Sequence, residues 1–225
     1  NVRLTLRAEE KRENMLVISS SGFSNDAVYP RCISFLKKST DKISISIITT
    51  AAIPEKQNNK WILKTNEYLV EKGIKNISYF DFEKDNSEDL GNYDVIFIAG
   101  GNPYYLFHFL YLKHFDRIAR ELLDKNKVII AVSAGALFFS KGIKYIEEYN
   151  TIMGFKNKDN FIQTNELNGI SIFDVELFPH YDQFLFMNPN LESELKKIEN
   201  RDNIEICRLG NMENIFIYKD KVERI

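Results

Sequence analysis

Val128-Ile129-Ile130-Ala131-Val132-Ser133-Ala134-Gly135-Ala136 is an apolar run that ends in a serine and a group of small residues. A strand buried on both faces reads this way, because a parallel sheet covered by helices leaves neither face to water. The run predicts a central strand over residues 127–132, followed by a sharp turn into a helix. Ser133 then stands on that turn with its hydroxyl projecting from the carboxyl edge of the sheet, where ligands bind in doubly wound folds. Ala134 and Gly135 leave room for the backbone to fold tightly and for a substrate to approach. The glycine usual two residues before such a serine is Ala131 here. Taken alone, the pattern therefore fits a helix-packing turn about as well as a nucleophile elbow.

One unit earlier, Ile96-Phe97-Ile98-Ala99-Gly100-Gly101-Asn102-Pro103 repeats the plan of a buried strand ending in glycines. Backbone N–H groups in such a turn can face an anion, which makes Gly101 a candidate oxyanion donor beside the N–H of Ala134. A phosphate cradle is the rival reading. Neither GxGxxG nor GxxxxGK[ST] spacing supports it.

Working outward, short apolar runs alternate with longer periodic ones, the pattern of strands feeding crossover helices in a mostly parallel sheet. Strands are expected at residues 15–19, 43–49, 76–80, 95–99, 171–178, 205–209, 214–218 and 221–225. Helices are expected at 26–38, 58–72 (closed by Gly73), 106–112, 117–123 and 191–198. The fold class is thus α/β, with one doubly wound domain over residues 15–225 whose short C-terminal strands close a sheet edge. Residues 1–14, rich in Arg and Glu, are read as an N-terminal extension, native or appended, ahead of a natural start at Met15. A short surface helix fits them equally.

With 30 basic against 32 acidic residues and a net charge of −2, the chain has no basic field to attract nucleic acid or an anionic membrane. No apolar run is long enough to span a bilayer, and the N-terminus lacks the apolar core of a signal peptide. Cys32 and Cys207 lie in apolar segments without metal-ligand spacing, and read as buried thiols in a reducing, cytoplasmic setting. No metal or other cofactor is expected. The 17 Phe and 11 Tyr, including the run from Tyr104 to Phe115, suit a filled core.

Three histidines occur. His108 and His114 fall in the aromatic helical run, where packing is the commoner role. His180 instead follows an expected strand and Pro179, so a rigid turn can hold its imidazole at the active edge. A serine hydroxyl needs such a base to remove its proton and return it to the leaving amine. The imidazole in turn needs a polar partner to set its tautomer. Glu147, Glu148, Asp174, Glu176 and Asp182 are all candidates that spacing does not separate.

These pieces occur in the order of a known family. Ser-Ser-Ser-Gly-Phe-Ser-Asn at 19–25, Gly100-Gly101-Asn102, Ser133-Ala134-Gly135-Ala136, and Asn168-Gly169-Ile170 leading to Phe178-Pro179-His180-Tyr181-Asp182 resemble the S51 serine peptidases. That family includes aspartyl dipeptidase (peptidase E) and cyanophycinase. The resemblance implies a flavodoxin-like sandwich similar to class I glutamine amidotransferases, with serine in place of the nucleophilic cysteine. It implies a serine exopeptidase of dipeptidase type with Ser133 as nucleophile, His180 as base, and Gly101 and Ala134 as the oxyanion hole. Gly100 and Asn102 would bind substrate. The family's acidic member lies about fifteen residues beyond the serine, which points to Glu148, with Glu147 next. The partner would be a small peptide, and the chain a monomer or homodimer. The arginines that suit an aspartyl side chain in that family are missing, since Gln183 to Asn200 holds none, which leaves the specificity open between an aspartyl dipeptide and a different small peptide or amide. Lys196 and Lys197 there offer charge but no bidentate fork. A noncatalytic module that binds a small anion on the same fold is the alternative.

Overall fold

The structure, a computed structural model, describes residues 14–155, 168–172, 175–218 and 221–225. The first half runs β1 (Met15–Ser19), α1 (Val28–Leu36), β2 (Ser44–Ile48), α2 (Lys60–Glu71), β3 (Asn76–Phe80), β4 (Val95–Ile98), α3 (Pro103–Leu112), α4 (Phe115–Asp124) and β5 (Val128–Val132). Then come α5 (Ala134–Phe139), α6 (Ile146–Ile152), β6 (Glu176–Pro179), α7 (Tyr181–Met187), α8 (Leu191–Asp202), β7 (Ile206–Leu209), β8 (Asn214–Tyr218) and β9 (Lys221–Arg224).

Seven strands form one sheet in the order β3-β2-β4-β5-β1-β8-β9, and β6 and β7 pair separately. The first five are parallel, whereas β8 and β9 add antiparallel at one edge. The expected central strand, β5, lies fourth of the seven.

Strand periodicity explains the layers. Alternate side chains of β5 point to opposite faces, so Ile129 and Ala131 join one core while Val128, Ile130 and Val132 join the other. The first core packs against α3, α4 and α5 through Leu106, Phe107, Ile118, Leu122 and Phe138. The second packs against α1 and α2 through Val28, Cys32, Ile62 and Leu69. All five β5 residues are buried, and truncating one such side chain, as in Ile130→Ala, costs about 2–5 kcal/mol. A smaller core of Tyr145, Tyr149, Phe178, Leu191, Leu195, Ile198 and Ile206 joins α6, α8 and the β6/β7 pair.

Helix starts follow local chemistry. Asn59 caps α2 by accepting from the Trp61 N–H at 3.0 Å, and Asn102 caps α3 by accepting from Tyr105 N–H at 3.0 Å, with Pro103 in the first turn. Both satisfy N–H groups that a helix leaves unpaired.

Three expectations shift. Of the C-terminal strands expected to close a sheet edge, β8 and β9 do so, while β7 pairs with β6 instead. The strand expected at 171–178 begins at Glu176 instead, because Ser171 has a φ of 48°, a left-handed conformation that ends extended structure. Residues 173–174 lie outside the described set, as do residues 1–13 of the expected N-terminal extension. The run from Tyr104 to Phe115 is only partly core: Tyr104, Leu106, Phe107, Leu110 and Phe115 are buried, while Tyr111 and Leu112 are exposed.

Candidate active site

The β5–α5 turn places Ser133 at φ 50°, ψ −109°, a conformation that a non-glycine residue holds only when its surroundings force it. The forcing contacts are visible. The Ser133 N–H donates to Ser19 O at 2.9 Å, anchoring the turn to β1, and Leu137 N–H donates to Ser133 O at 3.2 Å as α5 begins. On the other side, the β4–α3 turn presses against the serine so closely that a Cβ on Gly100 would lie 2.9 Å from the Ser133 Cβ. Gly101 is more constrained still, with φ +143° and a would-be Cβ 2.1 Å from Ala51 O. Only glycine fits there, and the contact locks the β4 turn to the segment after β2. The Asn102 N–H adds a bond to Ala51 O at 2.8 Å.

His180 arrives from the β6–α7 turn with φ 58°. Its Nε2 lies 3.1 Å from Ser133 Oγ and its Nδ1 lies 2.6 Å from Asn211 Oδ1. Asn211 presents its amide oxygen to the ring, and its other contacts are consistent with that orientation. Its Nδ2 donates to Gln183 Oε1 at 3.1 Å, and its Oδ1 also accepts from the Ser21 hydroxyl at 3.4 Å. An oxygen facing Nδ1 requires the proton on Nδ1, which leaves Nε2 as an acceptor for the serine hydroxyl. The His180 backbone is fixed as well, its N–H donating to Ser20 Oγ at 3.0 Å while the same hydroxyl donates to Leu209 O at 3.0 Å.

Glu148 is not the residue at the imidazole. Its carboxylate makes a bidentate pair with Arg201, at 3.0 and 2.9 Å, on the outer face between α6 and α8. Glu147 lies on the same first turn of α6, with its carboxylate beside Tyr104; burial first, and that charge second, push the Tyr104 phenol well above its usual value. Of the other acidic candidates, Glu176 is buried in β6. Asp182 accepts from the Asn211 backbone N–H at 2.8 Å, behind the amide that meets the histidine. Asp174 lies outside the described residues.

His108 sits in α3 with its ring against Phe109, and His114 precedes α4 in a left-handed conformation. Burial pushes the Cys32 thiol up to about 12 and the Cys207 thiol up to about 11, so neither is a ready thiolate. Among the described residues, no group of three or more His, Cys, Asp or Glu comes together to hold a metal. No helix among them is long and apolar enough to cross a membrane.

Sequence reading missed Asn211, Ser20 and Ser21 as a supporting shell. The signal lay in the strand expected at 205–209. Parallel pairing of β6 with β7 sets Pro179 opposite Leu209, and so carries the residues after each strand, His180 and Gly210-Asn211, to the same edge. Ser133, His180, Gly101, Asn102 and Ala134 all line one cavity of about 400 Å³, a size suited to one or two amino-acid residues. Gly100 stands behind Ser133 rather than in the wall. Ala134 opens α5, so its N–H is one that the helix itself does not use.

The model of peptidase family S51 matches residues 15–225. An uncharacterized peptidase of Listeria monocytogenes is 28% identical over 126 residues, 55% of this chain and 56% of that protein. The match thus spans little more than half the length of that relative. A peptidase E of Shewanella denitrificans is 20% identical over 185 residues, 82% of this chain and 74% of that one. Among solved structures, a Listeria monocytogenes protein described as a candidate peptidase E superposes with a TM-score of 0.71 at 22% identity, covering 94% of this chain and 98% of that chain. A peptidase from an acI-B1 actinobacterium gives 0.61 at 15% identity, covering 96% and 88%. Both likenesses are of fold, and agree with the mostly parallel sheet described above.

Proposed function

Because the chain belongs to peptidase family S51, we propose that it is a serine-type peptidase that cleaves short peptides through an acyl-enzyme, with Ser133 as nucleophile and His180 as base. The observation that carries this reading is the 3.1 Å contact between His180 Nε2 and Ser133 Oγ, within the reach that proton transfer needs. Ser133 Oγ attacks the scissile carbonyl as its proton passes to Nε2. The carbonyl oxygen takes up the negative charge beside the N–H groups of Gly101 and Ala134. The C–N bond then breaks, the imidazolium gives its proton to the leaving amine, and the acyl group stays on Ser133. A water that gives its proton to Nε2 attacks the ester, and Nε2 passes that proton to Ser133 Oγ as the acid leaves.

Asn211, rather than Glu148, is the residue that orients the imidazole in this reading. Its amide oxygen holds the proton on Nδ1 but brings no charge to the imidazolium that forms, so orientation is its whole contribution. A dipeptidase-like preference for short substrates draws its support from the cavity volume of about 400 Å³.

The noncatalytic anion-binding reading keeps Ser133 and the glycine turns but has no use for a histidine held in the base tautomer. Two measurements on the full chain separate the two readings: labelling by a fluorophosphonate probe, and hydrolysis of a dipeptide panel, each with wild type and Ser133→Ala. Ser133-dependent labelling and hydrolysis are expected. Hydrolysis that persists in Ser133→Ala would overturn the assignment.

A further inference from the structure

One wall of the cavity is made of side chains that the reaction steps above leave idle. Tyr149 meets Phe178 at 4.7 Å between ring centroids, Phe178 meets Phe184 at 5.9 Å, and Phe184 meets Phe155 at 5.6 Å. Phe184 also lies edge-on to His180 at 5.9 Å, so the aromatic wall begins one ring away from the reacting atoms. Met153 and Ile146 extend it.

The charge content of the cavity is as informative as its rings. Among the described residues that line it there is no Lys, Arg, Asp or Glu. Its titratable groups are His180, which the reaction uses, and the phenols of Tyr104 and Tyr149, whose titration burial pushes well above the usual range. Glu147 beside Tyr104 adds a repulsive charge for any acidic group that enters. At the mouth, Phe155 keeps 42% of its surface exposed, apolar area that an entering side chain can cover.

We propose that this wall is the specificity pocket, and that it selects peptides with an uncharged aromatic or large aliphatic side chain adjacent to the scissile bond. The proposal rests on the Ser133–His180 reading and adds the substrate class to it. Apolar selection of this kind is worth on the order of 10- to 200-fold between a side chain that fills the pocket and one that does not. A carboxylate would lose its water against the rings and meet the repulsion of Glu147; an ammonium would lose its water with no charged residue of the described wall to pair with, Glu147 standing beside Tyr104 rather than in the lining, and both are costlier still.

The test is kcat/KM for two dipeptide series on the full chain, Xaa-Leu and Leu-Xaa, with Xaa as Phe, Leu, Ala, Asp or Lys. Fluorophosphonate labelling of Ser133 is followed in parallel. In one series Phe and Leu should exceed Ala by about tenfold or more, with Asp and Lys below Ala. Phe184→Ala, and Phe155→Ala at the exposed mouth should the first variant fold poorly, should bring the Phe/Ala ratio toward one while labelling persists. Preferential cleavage of the Asp or Lys peptides, a flat profile in both series, or an unchanged Phe/Ala ratio in a folded variant would overturn the pocket and leave the peptidase reading standing. No labelling and no hydrolysis of any peptide by wild type would remove the peptidase reading, and the pocket with it.

Discussion

Ser133 ends the central strand of the main sheet, between the turns of β4 and β1, whereas His180 ends a strand of the separate two-stranded pair. The nucleophile turn is held by backbone: Ser19 O accepts its N–H, Gly100 crowds its Cβ, and buried residues fill both faces of β5. The base turn is held largely by side chains, the Ser20 hydroxyl on its N–H and the Asn211 amide on its ring. Backbone contacts between parallel strands survive most substitutions, while a side-chain latch can be removed by one. The base side is therefore where one side-chain change can unlatch the geometry without loss of the fold, and the nucleophile side, with Ser133 at φ 50° and ψ −109° against the ordinary left-handed turn of His180, carries the greater backbone strain.

That contrast can be broken at several points. The largest effect is expected at Ser133. Ser133→Ala should lower kcat/KM by about 10⁴-fold or more, as for the nucleophile of other serine hydrolases. Ser133→Gly should do the same to activity but raise stability, by about 1 kcal/mol in urea unfolding, since relief of the left-handed φ outweighs the added chain entropy of glycine. A Ser133→Gly protein less stable than wild type would show that the elbow is unstrained.

On the base side, Asn211→Ala should lower kcat by about 10²-fold while KM changes little, because the tautomer of His180 is no longer held. Asn211→Asp should restore most of the loss. The added carboxylate favours imidazolium and catalysis needs the neutral ring, so the acidic limb of the kcat/KM profile should move to higher pH. Loss of activity in both variants with no shift of that limb would assign Asn211 a merely structural part. Ser20→Ala leaves the His180 N–H and the Leu209 carbonyl without their hydroxyl partner, and should lower kcat by about tenfold and stability by about 1–3 kcal/mol. The smallest effect is expected at Glu148. Glu148→Gln should leave kcat/KM within about twofold, because that carboxylate serves an exposed pair with Arg201. A hundredfold loss there would return Glu148 to the reaction.

Much of the fold was legible because its cues are local. The strand expected at 76–80 matches β3, and that at 214–218 matches β8, residue for residue. The glycine stop after α2 is used, with Gly73 at φ 86°. Short helices were harder to read. The seven residues of α6 and the seven of α7 give too few turns for an apolar period to emerge. The partner of His180 was illegible for a different reason. It is not an acidic residue but an asparagine 31 positions along the chain, which reaches the ring only because β6 and β7 pair in parallel.

The layered α/β plan, the serine turn at the end of a fully buried strand and the glycine turn beside it are written in local sequence. Each follows from apolar periodicity and from the few residue types a tight turn tolerates, and both act over a handful of neighbours. Which polar group faces His180, the engagement of Glu148 elsewhere, and a cavity wall that is aromatic and free of charge among the described residues all depend on the packing of distant segments. Those features join residues from α6, β6, α7 and the turn after β7, and no local rule of spacing relates one such segment to another.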